Sequence, residues 1–350
     1  MKIALLTIWR EKNYGAELQA YATVQLLQNL GHHVEMIDIR LSDCRKGNIN
    51  QKIYNLICGL TPGHRKFSRF WKKNIPVTKR YKTIDELQKN PPEADVYMVG
   101  SDQVWNPDLT RDFSLLYFLN FGADNVKRVS FASSFGTTTW NYPELKESVL
   151  QLLYRFNGIT CREKSGVSLL KKEFGLDSVN VVDPTLVLGD YSKFLKKVTE
   201  RNTLVYYPLF PDFELEDFSK RLAEAQGLTY INNNEKKYIL GKLEWNRVGV
   251  EEWVRNIAEA KFVVTRSFHG MLFSLMFHRQ FAVVATKNGR SSRITDILNL
   301  LGLSNRFFDS VDDLSCSKIW DNRIDYLKVD QILSELRHLA FDNLNKVLES

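Results

Sequence analysis

Short continuous apolar runs, each bounded by charge or glycine, alternate along this chain with stretches whose apolar positions repeat at helical spacing. KIALLTI (2–8) reads as a buried strand. GAELQAYATVQLLQNLG (15–31) has the helical rhythm and stops at Gly31, and HVEMIDI (33–39) reads as a second strand. Strand, helix and strand in so short a span predict a βαβ unit with parallel strands. Further strands are expected at 94–100, 128–133, 158–162 and 179–185, with a helix at 163–175. A second series follows, with strands at 202–209, 228–232, 261–265 and 281–285 and helices at 212–227, 251–260, 270–277 and 292–302. Two such runs predict an α/β protein of two Rossmann-like domains facing a cleft. The first is expected over 1–195 and the second over 196–325, with a joint near 190–202 and a C-terminal helix in 326–350 that can pack on either domain.

One segment breaks the rhythm. Between Cys44 and Ile84 there is no Asp or Glu, but there are eleven Lys and Arg. The formal net charge of the chain is +7, so the remainder nets −4 (+7 less +11) and the basic character is local. Tyr54, Phe67, Phe70, Trp71 and Tyr81 are interleaved with the cations. Residues 45–84 read as an irregular or helical insertion in the first domain.

Composition adds bounds. A chain of 350 residues, 44% hydrophobic and 25% charged, has the makeup of a folded protein with a substantial core. Cysteines at 44, 58, 161 and 316 lack the close spacing of a zinc or redox motif and read as reduced thiols. The apolar start meets Arg10 too early for a signal peptide, and no run reaches the roughly 20 apolar residues of a membrane span. These features point to a cytoplasmic protein.

Candidate chemistry collects where strands give way to helices. RSFHG (266–270) lies between the strand KFVVT and the apolar helix GMLFSLMF. In open α/β sheets ligands bind at the carboxyl ends of strands, and a helix N-terminus favours an anion. Gly270 permits close backbone approach, Ser267 can donate a hydroxyl, and His269 can exchange a proton near neutral pH. A plainer reading makes Ser267 a helix cap and His269 a core histidine. Asn13, Tyr14 and Gly15 follow the first strand, and Ser101, Asp102, Gln103 and Trp105 follow another. The first of these loops is not GxGxxG, so no dinucleotide fingerprint is present. Asn13 and Asp102 are also natural helix caps, and Trp105 a natural core residue.

NYGAELQAYAT, GSDQVWNP, SFASSFG, REKSG, DPTLVL and SFHGMLFSLMF occur in that order. The ordered set, from Asn13 to about Arg306, resembles the polysaccharide pyruvyl transferase family. The resemblance implies a GT-B-like fold. It implies transfer of the pyruvyl group of phosphoenolpyruvate onto a hexose of a surface polysaccharide or its lipid-linked precursor, giving a pyruvate ketal and phosphate. An Arg-Leu-His stretch in that family helps bind the donor. The same turn here reads Ser267-Phe268-His269, with Arg266 one position earlier, which leaves the ligand of the donor carboxylate open. A further family arginine matches Arg162.

On this reading His269 and Arg162 are catalytic. Arg266, Ser267, Phe268, Gly270, Arg290 and Arg293 bind the donor. Asn13, Tyr14, Gly15, Ser101, Asp102, Gln103, Trp105 and Trp140 face the acceptor. Phosphoenolpyruvate is a co-substrate, and neither metal nor redox cofactor is required. The basic residues of 45–82 suit an anionic membrane surface, and no recognised nucleic-acid module accompanies them. The chain then works at the inner face of the membrane. The rivals are a nucleotide-sugar glycosyltransferase of the same architecture and a non-catalytic carbohydrate-binding relative.

Overall fold

The computed structural model describes residues 1–40, 56–195, 197–239, 241, 243–286 and 291–349. It forms two compact units, one of residues 1–52, 71–188 and 335–350, the other of 53–70 and 189–334.

The first unit is built on a parallel sheet of β1 (Lys2–Leu6), β2 (His33–Ile39), β3 (Val77–Tyr81), β4 (Val96–Val99) and β5 (Lys127–Ser130), in the order β3-β2-β1-β4-β5. β6 (Thr160–Cys161) and β7 (Val179–Asn180) pair with each other and extend the sheet past β5 through parallel bridges at Val129–Gly158 and Ser133–Cys161. This is the Rossmann order, and its direction of winding reverses between β1 and β4. Ile3 to Leu6 and Val96 to Val99 are almost wholly buried, which explains their unbroken apolar sequence. α1 (Tyr14–Asn29) begins at Asn13, whose carboxamide accepts from the Gly15 and Ala16 N–H groups. It ends before Gly31, which takes the left-handed φ of 81° that glycine adopts without strain. α2 (Pro62–Asn74) follows the first βαβ unit, α3 (Lys164–Leu169) follows β6, and α4 (Pro184–Leu188) follows β7.

The second unit repeats the plan. β8 (Thr203–Tyr207), β9 (Thr229–Asn232), β12 (Phe262–Thr265), β13 (Gln280–Val284) and β14 (Phe307–Phe308) form a parallel sheet in the order β14-β13-β12-β8-β9. That is the flavodoxin-like order, reversing between β8 and β12. α5 (Phe213–Ala225), α6 (Val250–Ala258), α7 (Phe268–Met276), α8 (Ser292–Leu300) and the first part of α9 (Tyr326–Glu349) complete it, with the antiparallel pair β10 (Lys236–Ile239) and β11 (Leu243–Arg247) as an excursion.

Four sequence expectations change. The expected strand over 179–185 is only β7, because Pro184 starts α4. The expected insertion over 45–84 contains β3, a true sheet strand. Residues 45–55 of that insertion, Tyr54 among them, lie outside the described residues. The described residues 56–70 fall in the second unit, not the first. The Phe70 ring lies 5.7 Å from Phe194, the Arg247 guanidinium lies 5.0 Å from the Phe67 ring, and Lys66 Nζ donates to Arg247 O at 2.9 Å. The C-terminal helix serves both units. Up to Ser334 it belongs to the second, where His278 Nε2 is 2.9 Å from Asp330, and beyond that to the first, where Arg337 Nε donates to Leu186 O at 2.7 Å.

Candidate functional site

Each unit presents a cluster of polar side chains at the carboxyl end of its sheet, and in each the cluster starts at the strand pair where the winding reverses. In the first unit, Thr7 follows β1, and its hydroxyl donates to Ser101 O beyond β4 at 2.6 Å. Gln19 of α1 donates to Thr7 Oγ1 and Ile8 O, both at 3.0 Å. Gly100 suits this closeness, because a Cβ there would stand 3.1 Å from Thr7 Cβ and 3.3 Å from Leu5 Cδ1 and crowd both. The chain then turns through Asp102, whose left-handed φ of 79° is one that Asp and Asn adopt more readily than other residues with a side chain.

Arg162 follows β6 and ties this cluster together. Nη1 donates to Asp183 Oδ2 at 2.8 Å and to Ser101 Oγ at 3.3 Å, and Nη2 lies 3.5 Å from Asp102 Oδ1. The Arg162 and Asp183 side chains are essentially inaccessible, and Asp102 is partly open. A buried ion pair persists when further hydrogen bonds satisfy its members. Here the Thr185 N–H and hydroxyl donate to Asp183 Oδ1 at 2.9 and 2.7 Å. Burial disfavours the Arg162 charge, but Asp183 and Asp102 outweigh it and raise the guanidinium pKa above its ordinary value. Beside it, Glu163 Oε1 accepts from the Ser134 hydroxyl at 2.8 Å and the Phe135 N–H at 3.0 Å, fixing the turn after β5.

In the second unit, Thr265 at the end of β12 donates to Tyr207 O of β8 at 2.6 Å and accepts from the Ser267 N–H at 2.9 Å. Ser267 caps α7, its hydroxyl accepting from the Gly270 N–H at 3.3 Å. A Cβ on Gly270 would stand 2.5 Å from Thr265 Oγ1, so glycine is needed for close packing of helix on strand. His269 lies in the first turn of α7, 8% exposed, its ring 5.4 Å from that of Phe268. The Arg293 guanidinium lies 5.4 Å from the other partner, the half-buried Phe268 ring. Cap, histidine, aromatic ring and cation thus gather at one helix N-terminus, where first-turn N–H groups have no partner within the helix.

The sequence-derived residues divide accordingly. Arg162, Ser101 and Asp102 come together in one unit, and Ser267, Phe268, His269, Gly270 and Arg293 in the other. Arg290 lies outside the described residues. Arg266 points away from a ligand role, because Nε is 2.7 Å from Asp212 Oδ2 and Nη1 donates to Ala285 O. Trp105 is a core residue, 1% exposed, stacked on Phe118 and donating to Tyr117 O. It offers no face to a sugar. Trp140 packs against Phe135, Tyr142 and Phe174 and donates to Tyr142 O. Tyr14 and Gly15 are buried, and Asn13 is the exposed cap. Gln103 accepts from Asn106 Nδ2 at 3.0 Å. Asp183, Asp212, Thr7 and Gln19 were not singled out in the sequence. Asp183 stands in DPTLVL and Gln19 in NYGAELQAYAT, two of the ordered motifs, so these two positions carried a signal, whereas Thr7 and Asp212 stand in none of them.

The polysaccharide pyruvyl transferase family model matches residues 13–288. The chain belongs to this family. The matched span contains every candidate residue up to Gly270 and leaves Arg290 and Arg293 beyond it. Among curated proteins none matches the chain. Solved structures share the architecture. UDP-GlcNAc 2-epimerase from Neisseria meningitidis, bound to UDP-GlcNAc, superposes with a TM-score of 0.53 at 9% identity, covering 99% of this chain and 100% of that one. UGT89C1 of Arabidopsis thaliana gives 0.51 at 11% identity, covering 98% of each chain. A putative UDP-N-acetylglucosamine 2-epimerase from Listeria monocytogenes gives 0.51 at 11% identity, covering 95% of this chain and 91% of that one. At such identities the likeness concerns the fold, two Rossmann-like domains of GT-B type.

Proposed function

We propose that this transferase moves the pyruvyl group of phosphoenolpyruvate onto two hydroxyls of a hexose in a surface polysaccharide or its lipid-linked precursor. One sugar hydroxyl gives up its proton as its oxygen bonds to C2 of the donor, while a proton is delivered to the donor's CH₂ carbon. The C2–O bond to phosphate then breaks, the second sugar oxygen bonds to C2, and its proton is released. The products are a cyclic ketal and inorganic phosphate. The donor brings a carboxylate and a phosphate, which require cations or N–H groups, and the CH₂ carbon needs a nearby acid.

The observation that carries this reading is the α7 N-terminus, where His269 stands in the first turn beside Phe268 and its partner Arg293. We assign proton transfer to His269 and donor charge to the helix N-terminus and Arg293. The first unit supports the acceptor instead. In the cluster around Ser101, the Arg162 guanidinium already faces two carboxylates, so an added anion is disfavoured there. Asp102, the open member, suits a sugar hydroxyl, which a carboxylate accepts readily. Arg162 then acts by positioning Asp102 and Ser101.

The test measures melting temperature with phosphoenolpyruvate and with UDP-galactose, and phosphate release over a panel of saccharides. A ligand that binds only the folded state raises the melting temperature. The expected result is a shift with phosphoenolpyruvate that shrinks in His269→Ala, and phosphate release that depends on acceptor. A shift with the sugar nucleotide alone, accompanied by nucleotide release, would overturn the proposal in favour of glycosyl transfer.

A further inference from the structure

The basic segment separates into two opposite faces in the structure. On α2, Gly63, Phe67, Phe70, Trp71 and Asn74 are buried, and Arg65, Arg69, Lys72 and Lys73 are exposed. Spacings of four, three and one residue place those four cations on one arc of the helix. Among the described residues none of them forms an ion pair, whereas Lys66, at the margin of the arc, is engaged by Glu252 at 3.2 Å. Just before α2, the helical turn 56–60 exposes Leu56 (69%), Ile57 (44%) and Leu60 (61%).

Among the described residues, the aromatic side chains of the segment do not share this surface. Phe67, Phe70, Trp71 and Tyr81 are buried, and Trp71 Nε1 donates to Glu17 Oε2 at 2.6 Å. None of these four rings is therefore open as a stacking platform of the kind single-stranded nucleic acid needs. Their burial also means that the apolar face of α2 is used within the protein and is not available to lie in a bilayer. What remains outward is a row of cations next to three aliphatic side chains, which is the composition of a surface that docks on anionic lipid headgroups with a shallow aliphatic anchor.

We infer that the Arg65, Arg69, Lys72 and Lys73 face of α2, with Leu56, Ile57 and Leu60, docks this protein on an anionic lipid surface. The inference comes from charge and exposure and does not rest on the pyruvyl reading. Each cation near such a surface contributes about fivefold in affinity at ordinary ionic strength, so losing two weakens binding about 25-fold.

The experiment is vesicle flotation of the full chain with pure phosphatidylcholine vesicles and with vesicles of phosphatidylcholine and phosphatidylglycerol in equal parts. Wild type is expected to float with the mixed vesicles, to release them as salt rises, and to ignore the neutral ones. Arg65→Gln with Arg69→Gln should lose about 25-fold in affinity. Leu56→Asp with Leu60→Asp should weaken binding on mixed vesicles as well. All four positions are exposed, and circular dichroism confirms the fold of each variant. Equal binding to both vesicle types, or to neither, overturns the inference. So does tighter binding of single-stranded RNA than of mixed vesicles. Phosphate release on a soluble acceptor, measured on the same variants, should not change, so failure of the docking inference and failure of the pyruvyl reading show in separate assays.

Discussion

Arg266 Nε lies 2.7 Å from Asp212 Oδ2, and both side chains are more than nine-tenths buried. With the hydrogen bond to Ala285 O, this side chain clasps the carboxyl ends of β8, β12 and β13, three adjacent strands. The cation nearest the position of the family arginine is therefore spent on the fold. Asp212 has a second task, since Oδ1 caps α5 by accepting from the Leu215 N–H at 3.1 Å. Removing one partner of a buried pair leaves an uncompensated charge, which costs roughly 3–5 kcal/mol. Arg266→Ala and Asp212→Ala should each lower stability by that order, and the double variant by clearly less than their sum. Urea melts of the four proteins give the coupling energy. Additive losses would show that the pair is not coupled, and an Arg266→Lys variant with normal stability but no phosphoenolpyruvate shift would return Arg266 to the donor.

Asp102 should separate acceptor from donor. Asn keeps the shape and tolerates the left-handed φ of 79°, but it replaces one carboxylate oxygen by a donor. Hydrogen bonds to charged groups are worth about 1.5–3 kcal/mol, so Asp102→Asn should lower kcat/KM for the acceptor by roughly 10- to 100-fold. The melting shift with phosphoenolpyruvate should stay as in wild type. A loss of that shift would put the donor at the first unit.

Gly270→Ala decides between two opposing effects. Alanine favours a helix over glycine by about 1 kcal/mol. The new methyl, however, would stand 2.5 Å from Thr265 Oγ1 and 3.1 Å from Tyr207 Cδ1. Thr265 cannot yield, because its hydroxyl is fixed between Tyr207 O and the Ser267 N–H. Overpacking of this kind costs about 1–3 kcal/mol. The variant is expected to be less stable in urea, and a gain in stability would show that α7 shifts freely on β12.

The parallel strands and their helices were legible because burial on both faces leaves unbroken apolar runs, as at Ile3 to Leu6 and Phe262 to Thr265. β10 and β11 were not, because Tyr238, Ile239 and Trp245 are all exposed and give no buried pattern. β3 was hidden by Lys79 and Arg80, which face outward. At the candidate site, the turn at Ser267 to Gly270 was visible from its place between strand and helix. The burial of Trp105 and the pairing of Arg266 with Asp212 depend on contacts distant in sequence, which no local pattern reports.

Glu17 offers a test through pH. It is fully buried in the first turn of α1, where Oε2 accepts from Trp71 Nε1 at 2.6 Å and from the Arg10 N–H at 3.4 Å. Oε1 has no hydrogen-bond partner among the described residues. Burial pushes its pKa up to about 8 from an ordinary 4.5, against the lowering effect of the Trp71 hydrogen bond. Between those values the folded state keeps a proton that the unfolded state has lost. This contribution to stability is therefore fully present below pH 4.5, falls as pH rises, and is gone above about 8. A difference of this size corresponds to a free energy on the order of 5 kcal/mol. Glu17→Gln carries no ionisable group and mimics the protonated acid. It should be nearly as stable as wild type at pH 5 and more stable at pH 9, with a flatter profile between, as read from urea midpoints across that range. Parallel profiles for the two proteins would show that Glu17 does not hold its proton in the folded state, and Trp71→Phe, which removes the N–H that favours the carboxylate, should steepen the fall at its alkaline end.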